Sequence, residues 1–310
     1  MVRKAVILAA GSASRMQENL EKYISNGREL SAVRRGEKMA ASFARFPFLD
    51  YQILNLFHAG LKKINLVIRH DDSYFIEHYN HAARFVFPEV DLSYSFQESP
   101  DGTAHAVLAA EGFVGDERFL VLNGDNNYST STIRMLAGTP EEYSAMVAFD
   151  FKGFHKGTRK KLKSFAVVKV KEGRLVQIVE KAPHPRRYKT SGTLHTGQNG
   201  QIPVRNRLLV SMNLWCLKAG ILDACRRVER HAPRKQGKAG EFELPDAIKL
   251  YLEAGNEILV YLAREDVLDL TRAEDIRIVE SGIREKLKER ITELEKRYSL
   301  HPARRGSTAE

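Results

Sequence analysis

The chain has 310 residues, of which 43% are hydrophobic and 9% aromatic. This is enough apolar material for the core of one large α/β domain or of two small ones. Lysine and arginine number 49 against 39 aspartate and glutamate, which gives a formal charge of +10 and an isoelectric point near 9.5. Such an excess favours anionic partners (nucleotides, phosphates, nucleic acid or an anionic membrane), although a solvated basic surface accounts for it equally well.

Two features of the sequence bear on the compartment of the protein. No stretch approaches the ~18 apolar residues of a membrane span, and the apolar run near the N-terminus is too short for a signal sequence. Cys216 and Cys225 are the only cysteines in the sequence, and they lack the Cys/His spacing of a metal site. We therefore expect a reduced, cytoplasmic protein with no membrane partner.

Strand and helix patterns alternate through the first half of the chain. Strands are predicted at residues 5–10, 64–69, 92–96, 119–123 and 145–149, and helices at 47–58, 73–82, 102–112 and 130–137. This alternation is typical of an α/β fold with a doubly wound, mostly parallel, Rossmann-like sheet. Ligands of such sheets bind at the carboxyl ends of the strands.

The second half begins with a different pattern. Residues 165–170 and 175–180 flank Lys171-Glu172-Gly173, which is typical of a hairpin turn, and residues 208–217 predict a further strand. We expect these strands to form a smaller mixed β region over the same crevice.

Two polar stretches, residues 17–37 and 183–206, are predicted to be loops. Each is either a lid or a disordered insertion. After them, apolar residues three or four apart predict one amphipathic C-terminal helix over residues 273–298. These residues are Ile276, Val279, Ile283, Leu287, Ile291, Leu294 and Tyr298. The helix packs either on the core or in a dimer contact, and residues 301–310 are expected to be a frayed tail.

The most informative motif is LAAGSASRM, residues 8–16, which follows a short apolar strand. A loop of glycine and small residues at a strand end can turn its N–H groups towards an anion, and Arg15 adds a fixed cation. Ordinary turn chemistry is the alternative. Asp125 ends a later strand in an Asn-Gly-Asp turn, which suits a hard metal ion or, alternatively, is an Asx turn.

Further segments occur in the same order as in a known family. They are PFLDYQILNLFHAG (47–60), QESPDGTAHA (97–106), FLVLNGDNNY (119–128), IVEKAP (178–183) and VLDLTRAEDI (267–276). With the opening loop, they resemble the sugar-phosphate nucleotidyltransferases, the NDP-sugar pyrophosphorylase group, over roughly residues 3 to 280. The resemblance implies an enzyme that joins an NTP to a sugar 1-phosphate and releases pyrophosphate, with Mg²⁺ as cofactor. Neither the base nor the sugar follows from it.

The resemblance also implies how the chain is divided. A nucleotidyltransferase domain would span residues 1–272, with a nucleotide-binding half at 1–150 and a sugar-phosphate-binding half at 151–272. The apolar periodicity described above, rather than the resemblance, places the C-terminal helix at residues 273–300 and the tail at 301–310. The implied partners are the NTP and the sugar 1-phosphate, without nucleic acid, and a homo-oligomer is possible.

By the same resemblance, a set of residues in the first half of the chain would bind the nucleotide. Arg15 and Lys38 would be catalytic, and the other members are Ala9, Ala10, Gly11, Ser12, Ala13, Ser14, Gln97, Gly102 and Thr103. The loop departs from the family pattern G-x-G-T-R at Ala13 and Ser14. Lys38 lies nine residues before Pro47, as expected, but Glu37 replaces the usual proline, and Lys22 is a competing candidate.

The resemblance assigns Asp125 and Asp269 to the metal. It assigns Glu180, Lys181, Ser211 and Asn213 to the sugar phosphate. Ala166 stands where a glycine usually lies behind the sugar, and His105 is expected to be a packing residue rather than a general base.

Two other functions fit parts of the sequence. The substitutions at Ala13 and Ala166 would suit a catalytically weak or inactive regulatory paralogue that binds a nucleotide sugar. The basic composition would suit a nucleic-acid-binding protein, but the sequence has no recognisable module of that kind.

Overall fold

The computed structural model describes residues 1–197, 200–229 and 240–300. The strands in these ranges are β1 (Lys4–Leu8), β2 (Ser42–Phe43), β3 (Phe46–Pro47), β4 (Lys63–Ile68), β5 (Asp91–Phe96), β6 (Phe119–Asn123), β7 (Asn126–Asn127), β8 (Ser144–Asp150), β9 (Ala166–Lys171), β10 (Arg174–Val179), β11 (Lys189–His195), β12 (Gln201–Leu217), β13 (Ile258–Ala263) and β14 (Leu268–Asp269). The α-helices are α1 (Gly27–Arg35), α2 (Phe48–His58), α3 (Ser73–Phe85), α4 (Thr103–Ala109), α5 (Glu111–Val114), α6 (Thr130–Ala137), α7 (Lys156–Arg159), α8 (Ile221–Arg226), α9 (Leu244–Glu253), α10 (Asp275–Lys286) and α11 (Lys288–Ser299).

The central sheet is parallel in its first half and mixed in its second. Strands β5, β4, β1 and β6 lie side by side in parallel, and β12 then pairs antiparallel with both β6 and β8. Strand β13 runs parallel to β8. The sequence-based fold class, a mostly parallel Rossmann-like α/β sheet with a smaller mixed region, is confirmed.

The sheet is buried on both faces, which explains why its strands are continuous apolar runs. Ala5 and Ile7 of β1 point into one hydrophobic core, and Val6, between them, points into the other. Helices α2, α3 and α6 cover the first face, and α4, α8 and α9 cover the second. The strand ends that carry the motifs are therefore held between two packed layers.

The predicted hairpin joins β9 to β10. Glu172 and Gly173 both have positive φ, 50° and 73°, as a tight turn between twisted strands requires. Strands β9, β10 and β11 and the first part of β12 form the smaller region.

The two predicted loops are wrong in the ranges that the structure describes. Residues 17–37 contain helix α1, which Asn26 caps by accepting a hydrogen bond from the N–H of Glu29 and which ends at Gly36 with φ 116°. Only Ala32 and Val33 of this helix are buried, and most of its other residues are polar or charged, so the sequence offers few apolar positions that would mark it as a helix. Residues 183–206 contain a 3₁₀ turn and the β11–β12 pairing, whose alternate residues are polar because one face is exposed.

The predicted C-terminal helix is two helices. Leu287, with φ −118° and ψ 29°, separates α10 from α11. The apolar stripe continues across the break, because Leu287 and Ile291 still pack against the core, so the pattern alone could not reveal it. Buried Leu294 and the hydrogen bond from the hydroxyl of Tyr298 to Asp50 (2.6 Å) fix α11 on the core. The predicted tail, 301–310, lies outside the described residues.

No described helix is long and apolar enough to cross a membrane.

Candidate functional site

A cavity of about 300 Å³ opens at the carboxyl ends of β1 and β6 and extends to the smaller β region. All the residues predicted for the site line it. They are Ala9, Ala10, Gly11, Ser12, Ala13, Ser14, Arg15, Lys38, Gln97, Gly102, Thr103, Asp125, Glu180, Lys181, Ser211, Asn213 and Asp269. Parallel strands end at one edge of a sheet, and this is why segments far apart in sequence meet here.

The loop after β1 turns back at Ala13. The N–H of Ala9 still donates to the carbonyl of Val67 (2.8 Å), and the N–H of Met16 donates to the carbonyl of Ala13 (2.8 Å). Ala13 has φ 51°, a left-handed conformation that costs an alanine about 1–2 kcal/mol relative to ordinary backbone. The family pattern has glycine at this position, so the chain keeps the loop conformation although it has lost the residue that adopts it freely.

The backbone turn before Asp125 depends on two other residues, Gly124 and Gln52. A Cβ at Gly124 would lie 3.0 Å from the carbonyl oxygen of Leu8, which is tighter than most real Cβ contacts, so glycine eases the close approach of this turn to β1. The buried Gln52 side chain donates to the carbonyls of Asn123 (3.1 Å), Gly124 (2.8 Å) and Asn126. Gln52 therefore fixes the backbone that presents Asp125, a role that the sequence motif did not reveal.

Lys38, not Lys22, reaches the cavity. Lys38 begins a 3₁₀ turn, and its ammonium forms an ion pair with Asp125. Lys22 is exposed and does not line the cavity. Glu37, at the usual proline position, is fully buried and accepts hydrogen bonds from the N–H of Phe75 (3.0 Å) and from Arg35 (2.9 Å). Burial raises the pKa of Glu37, and these contacts fix the turn before Lys38 without a proline.

The segment after β5 is held to the start of α9. The N–H of Ala104 donates to the carbonyl of Phe242 (2.9 Å), and the N–H of Phe242 donates to the carbonyl of Asp101 (2.7 Å). The hydroxyl of Thr103 donates to Glu243 (3.1 Å) and accepts from the N–H of Leu244 (2.7 Å). We call these contacts between residues 101–104 and 242–244 the clasp.

Gln97 lies beside the clasp, with its side-chain amide donating to the carbonyl of Gly102 (3.1 Å). The ring of His105 lies 3.3 Å from this amide and does not line the cavity.

The ammonium of Lys181 lies between carboxylates from two segments that line the cavity. Lys181, with φ 48°, lies 3.6 Å from carboxylate oxygens of both Glu180 and Glu243. Glu241 and Glu243 also line the cavity, but neither was predicted for the site from the sequence. Sequence reasoning therefore missed them.

Ser211 and Asn213 reach the cavity because β12 bulges there. The register of β12 against β8 shifts between Ser211 and Trp215, and Asn213 has φ 53°. The side-chain amide of Asn213 donates to Asn123 (3.4 Å), and its oxygen accepts from the indole of Trp215 (3.3 Å). The bulge thus aims Asn213 at the end of β6, where Asp125 follows.

Asp269 is nearly buried, and each of its oxygens has a protein donor. Oδ1 accepts from the Thr271 hydroxyl (2.6 Å) and the Asn126 amide (3.3 Å), and Oδ2 lies 2.9 Å from Nζ of Lys161. Burial raises the pKa of Asp269, against the opposing effect of Lys161. Lys161 also lies 2.6 Å from Asp275 Oδ2, and no motif in the sequence marked it.

The site can accommodate a hard cation. Strand β7, which follows Asp125, pairs antiparallel with β14, so Asp269 lies opposite Asn126 and both aspartates line the cavity. No group of three or more His, Cys, Asp or Glu side chains in the described ranges could hold an ion alone. Mg²⁺ is commonly held by one or two carboxylates together with substrate phosphates, which is what two aspartates provide.

The chain is similar to known proteins in sequence and in fold. A family model described as nucleotidyl transferase matches residues 4–275. The low-salt glycan biosynthesis nucleotidyltransferase Agl11 of Haloferax volcanii is 24% identical, over 88% of this chain and 64% of that protein. The bifunctional protein GlmU of Methanococcus maripaludis is 25% identical, over 81% of this chain and 47% of that protein. The chain thus spans less than two thirds of both relatives.

A shorter relative and two solved structures are also similar. The glucose-1-phosphate thymidylyltransferase of Neisseria meningitidis is 25% identical over 84% of this chain and 75% of that protein. The crystal structure of UDP-glucose pyrophosphorylase complexed with UDP-glucose superposes with a TM-score of 0.67 at 16% identity, covering 92% of this chain and 100% of that one. UDP-glucose pyrophosphorylase from Acinetobacter baumanii gives 0.63 at 18% identity, over 95% and 100%. These structures share the fold.

Proposed function

Since the chain belongs to the nucleotidyl transferase family, we propose that it is an Mg²⁺-dependent enzyme that joins an NTP to a sugar 1-phosphate and releases pyrophosphate. One observation carries the proposal. The loop after β1 (residues 9–15) meets two lysines and two aspartates around one cavity, and these are Lys38, Lys181, Asp125 and Asp269. The reaction needs little covalent chemistry from the protein, because positioning and charge stabilisation supply most of the catalysis in phosphoryl transfer.

The nucleotide would occupy the side of the cavity formed by the β1 loop and the clasp. N–H groups of residues 11–14 and the guanidinium of Arg15 would bind the β- and γ-phosphates. Lys38 would stabilise the charge that grows on the α-phosphate during attack. Gln97, Gly102 and Thr103 would contact the base.

The sugar phosphate would lie on the opposite side. Glu180 would accept hydrogen bonds from sugar hydroxyls, Lys181 would bind the phosphate, and Ser211 and Asn213 would contact the sugar. A phosphate oxygen attacks the α-phosphorus as the bond to pyrophosphate breaks. A phosphate monoester is already ionised near neutral pH, so this step requires no general base.

Asp125 and Asp269 would hold the metal ion. When bound, the ion supplies positive charge to the phosphate oxygens of the nucleotide.

We place the enzyme in the cytoplasm. Cys216 and Cys225 are both free and buried, which suits a reducing compartment.

The test is a matrix of NTPs against sugar 1-phosphates, read by pyrophosphate release. We expect at least one pair to give turnover and Asp125→Asn to abolish it, since the strand end loses a charged metal ligand but little packing. Asp91→Asn is the matched control, because Asp91 is an exposed aspartate at the opposite, amino end of β5. Unchanged pyrophosphate release by Asp125→Asn at saturating Mg²⁺ would refute the assignment.

A further inference from the structure

Lys161 is a nearly buried lysine that the proposed reaction does not use. Its side chain is 16% exposed, and its ammonium lies between two carboxylates, 2.9 Å from Asp269 and 2.6 Å from Asp275. It does not line the cavity, so it does not face either substrate. It belongs to the segment between α7 and the 3₁₀ turn at Leu162–Ser164.

The partners of Lys161 are themselves firmly placed. Asp275 begins α10 and accepts hydrogen bonds from the N–H groups of Thr271 (3.0 Å) and Arg272 (2.7 Å). Asp269 is held by Thr271 and by its pairing with Asn126 in β7. Lys161 thus sits in a preformed position, and its charge acts directly on one of the two aspartates assigned to the metal.

We propose that Lys161 tunes the metal site: its ammonium competes with a divalent ion for Asp269 and keeps the affinity of the protein for free metal low. This inference rests on the proposed function, because that function assigns Asp125 and Asp269 to the metal. The ammonium occupies one carboxylate oxygen and repels a second cation nearby. Lys38 holds Asp125 in the same way. Each of these two aspartates therefore already has an ammonium partner within the protein, and the phosphates of the nucleotide add the negative charge that draws the ion in.

The consequence is that metal and nucleotide enter together. An ion bound tightly before the nucleotide would give up favourable contacts when the triphosphate arrives. A site with low affinity for the free ion loses no such contacts, because the ion reaches the protein already bound to phosphate oxygens of the nucleotide.

The test measures Mn²⁺ binding to the whole protein without nucleotide, from the electron paramagnetic resonance signal of free Mn²⁺. Charges a few ångströms apart near a protein surface interact strongly enough to change affinity by orders of magnitude. We therefore expect Lys161→Met to bind Mn²⁺ at least about tenfold more tightly than the wild type. Lys161→Gln, which keeps a hydrogen-bond donor without the charge, should do the same, and it serves as the second variant if the first does not fold.

Two controls separate charge from structure. Lys161→Arg keeps the charge, and Lys160→Met removes an exposed charge one residue away; both should bind Mn²⁺ as the wild type does. Adding Asp269→Asn to Lys161→Met should abolish the gain. A folded Lys161→Met or Lys161→Gln with unchanged or weaker Mn²⁺ affinity overturns the inference.

Failure of this inference is distinguishable from failure of the proposed function. If the function is wrong, Asp125→Asn keeps its pyrophosphate release, or the wild type releases none with any substrate pair. If only the role of Lys161 is wrong, Asp125→Asn is inactive while removal of the Lys161 charge leaves Mn²⁺ binding unchanged.

Discussion

Gly102→Ala should destabilise the protein and weaken nucleotide binding together, because Gly102 is the closest point of the clasp. Its φ of 108° and ψ of 175° lie in a region that is essentially restricted to glycine. A Cβ there would also lie 2.7 Å from the nitrogen and 2.9 Å from the carbonyl carbon of Phe242. Both distances are below any real Cβ contact, and a backbone neighbour cannot rotate away.

The expected cost has two parts. A residue other than glycine in this conformation costs about 1–3 kcal/mol, and forcing the Phe242 backbone away costs about 1–3 kcal/mol more, as in other overpacked sites. The sum, about 4 kcal/mol, corresponds to a fall in Tm of about 6 °C for a chain of this size. Displacing Phe242 also moves Thr103 and Glu243, so KM for the NTP should rise.

Gly255→Ala is the matched control. Gly255 has φ 86°, and a Cβ there would meet nothing within 4 Å. This variant therefore reports the conformational cost alone, about 1–2 kcal/mol, and its KM for the NTP should not change. Thermal unfolding and steady-state kinetics of the two variants decide the matter. If Gly102→Ala melts no lower than Gly255→Ala, the close approach to Phe242 is not what requires glycine here.

Three further predictions test individual contacts of the site. Lys38→Ala should lower kcat by about a hundredfold or more in pyrophosphate release, as loss of a transition-state contact does. Lys22→Ala should remain active, and loss of its activity would contradict the role assigned to Lys38. Glu180→Gln and Lys181→Ala should raise KM for the sugar phosphate much more than KM for the NTP, and equal effects on both would move them out of the sugar site. Ala13→Gly should raise the free energy of unfolding by about 1 kcal/mol, since glycine adopts the left-handed conformation freely; a lower denaturant midpoint would contradict this.

The meeting of the motifs at one cavity was predictable from sequence because each of the main motifs follows a strand. The strands Lys4–Leu8 and Phe119–Asn123 are adjacent and parallel, so the motifs after them meet whatever the length of chain between them. Lys38 could be placed by its spacing to Pro47 although the segment before it was predicted to be a loop. The intervening helix α1 changes the path of the chain but not its end point.

What the sequence did not reveal are contacts from segments without a regular pattern. Lys161 lies in a run of basic residues. Only the tertiary structure distinguishes its mostly buried side chain from that of its exposed neighbour Lys160. Glu243 precedes α9 and meets Thr103 across 140 residues of sequence. Gln52 is one of several polar residues on helix α2, and nothing in the sequence distinguishes it from the others or indicates its three backbone partners.

The departures from the family pattern fall in two groups with different consequences. At Ala13 and Glu37 the chain keeps the backbone conformation by other means, a strained alanine and two hydrogen bonds to a buried carboxylate. These changes therefore leave Arg15 and Lys38 at the cavity. Ala166 is different, because it lines the cavity itself, beside the residues assigned to the sugar. Its effect should fall on which sugar is accepted rather than on whether nucleotidyl transfer occurs, so substrates smaller on that face should give the higher kcat/KM.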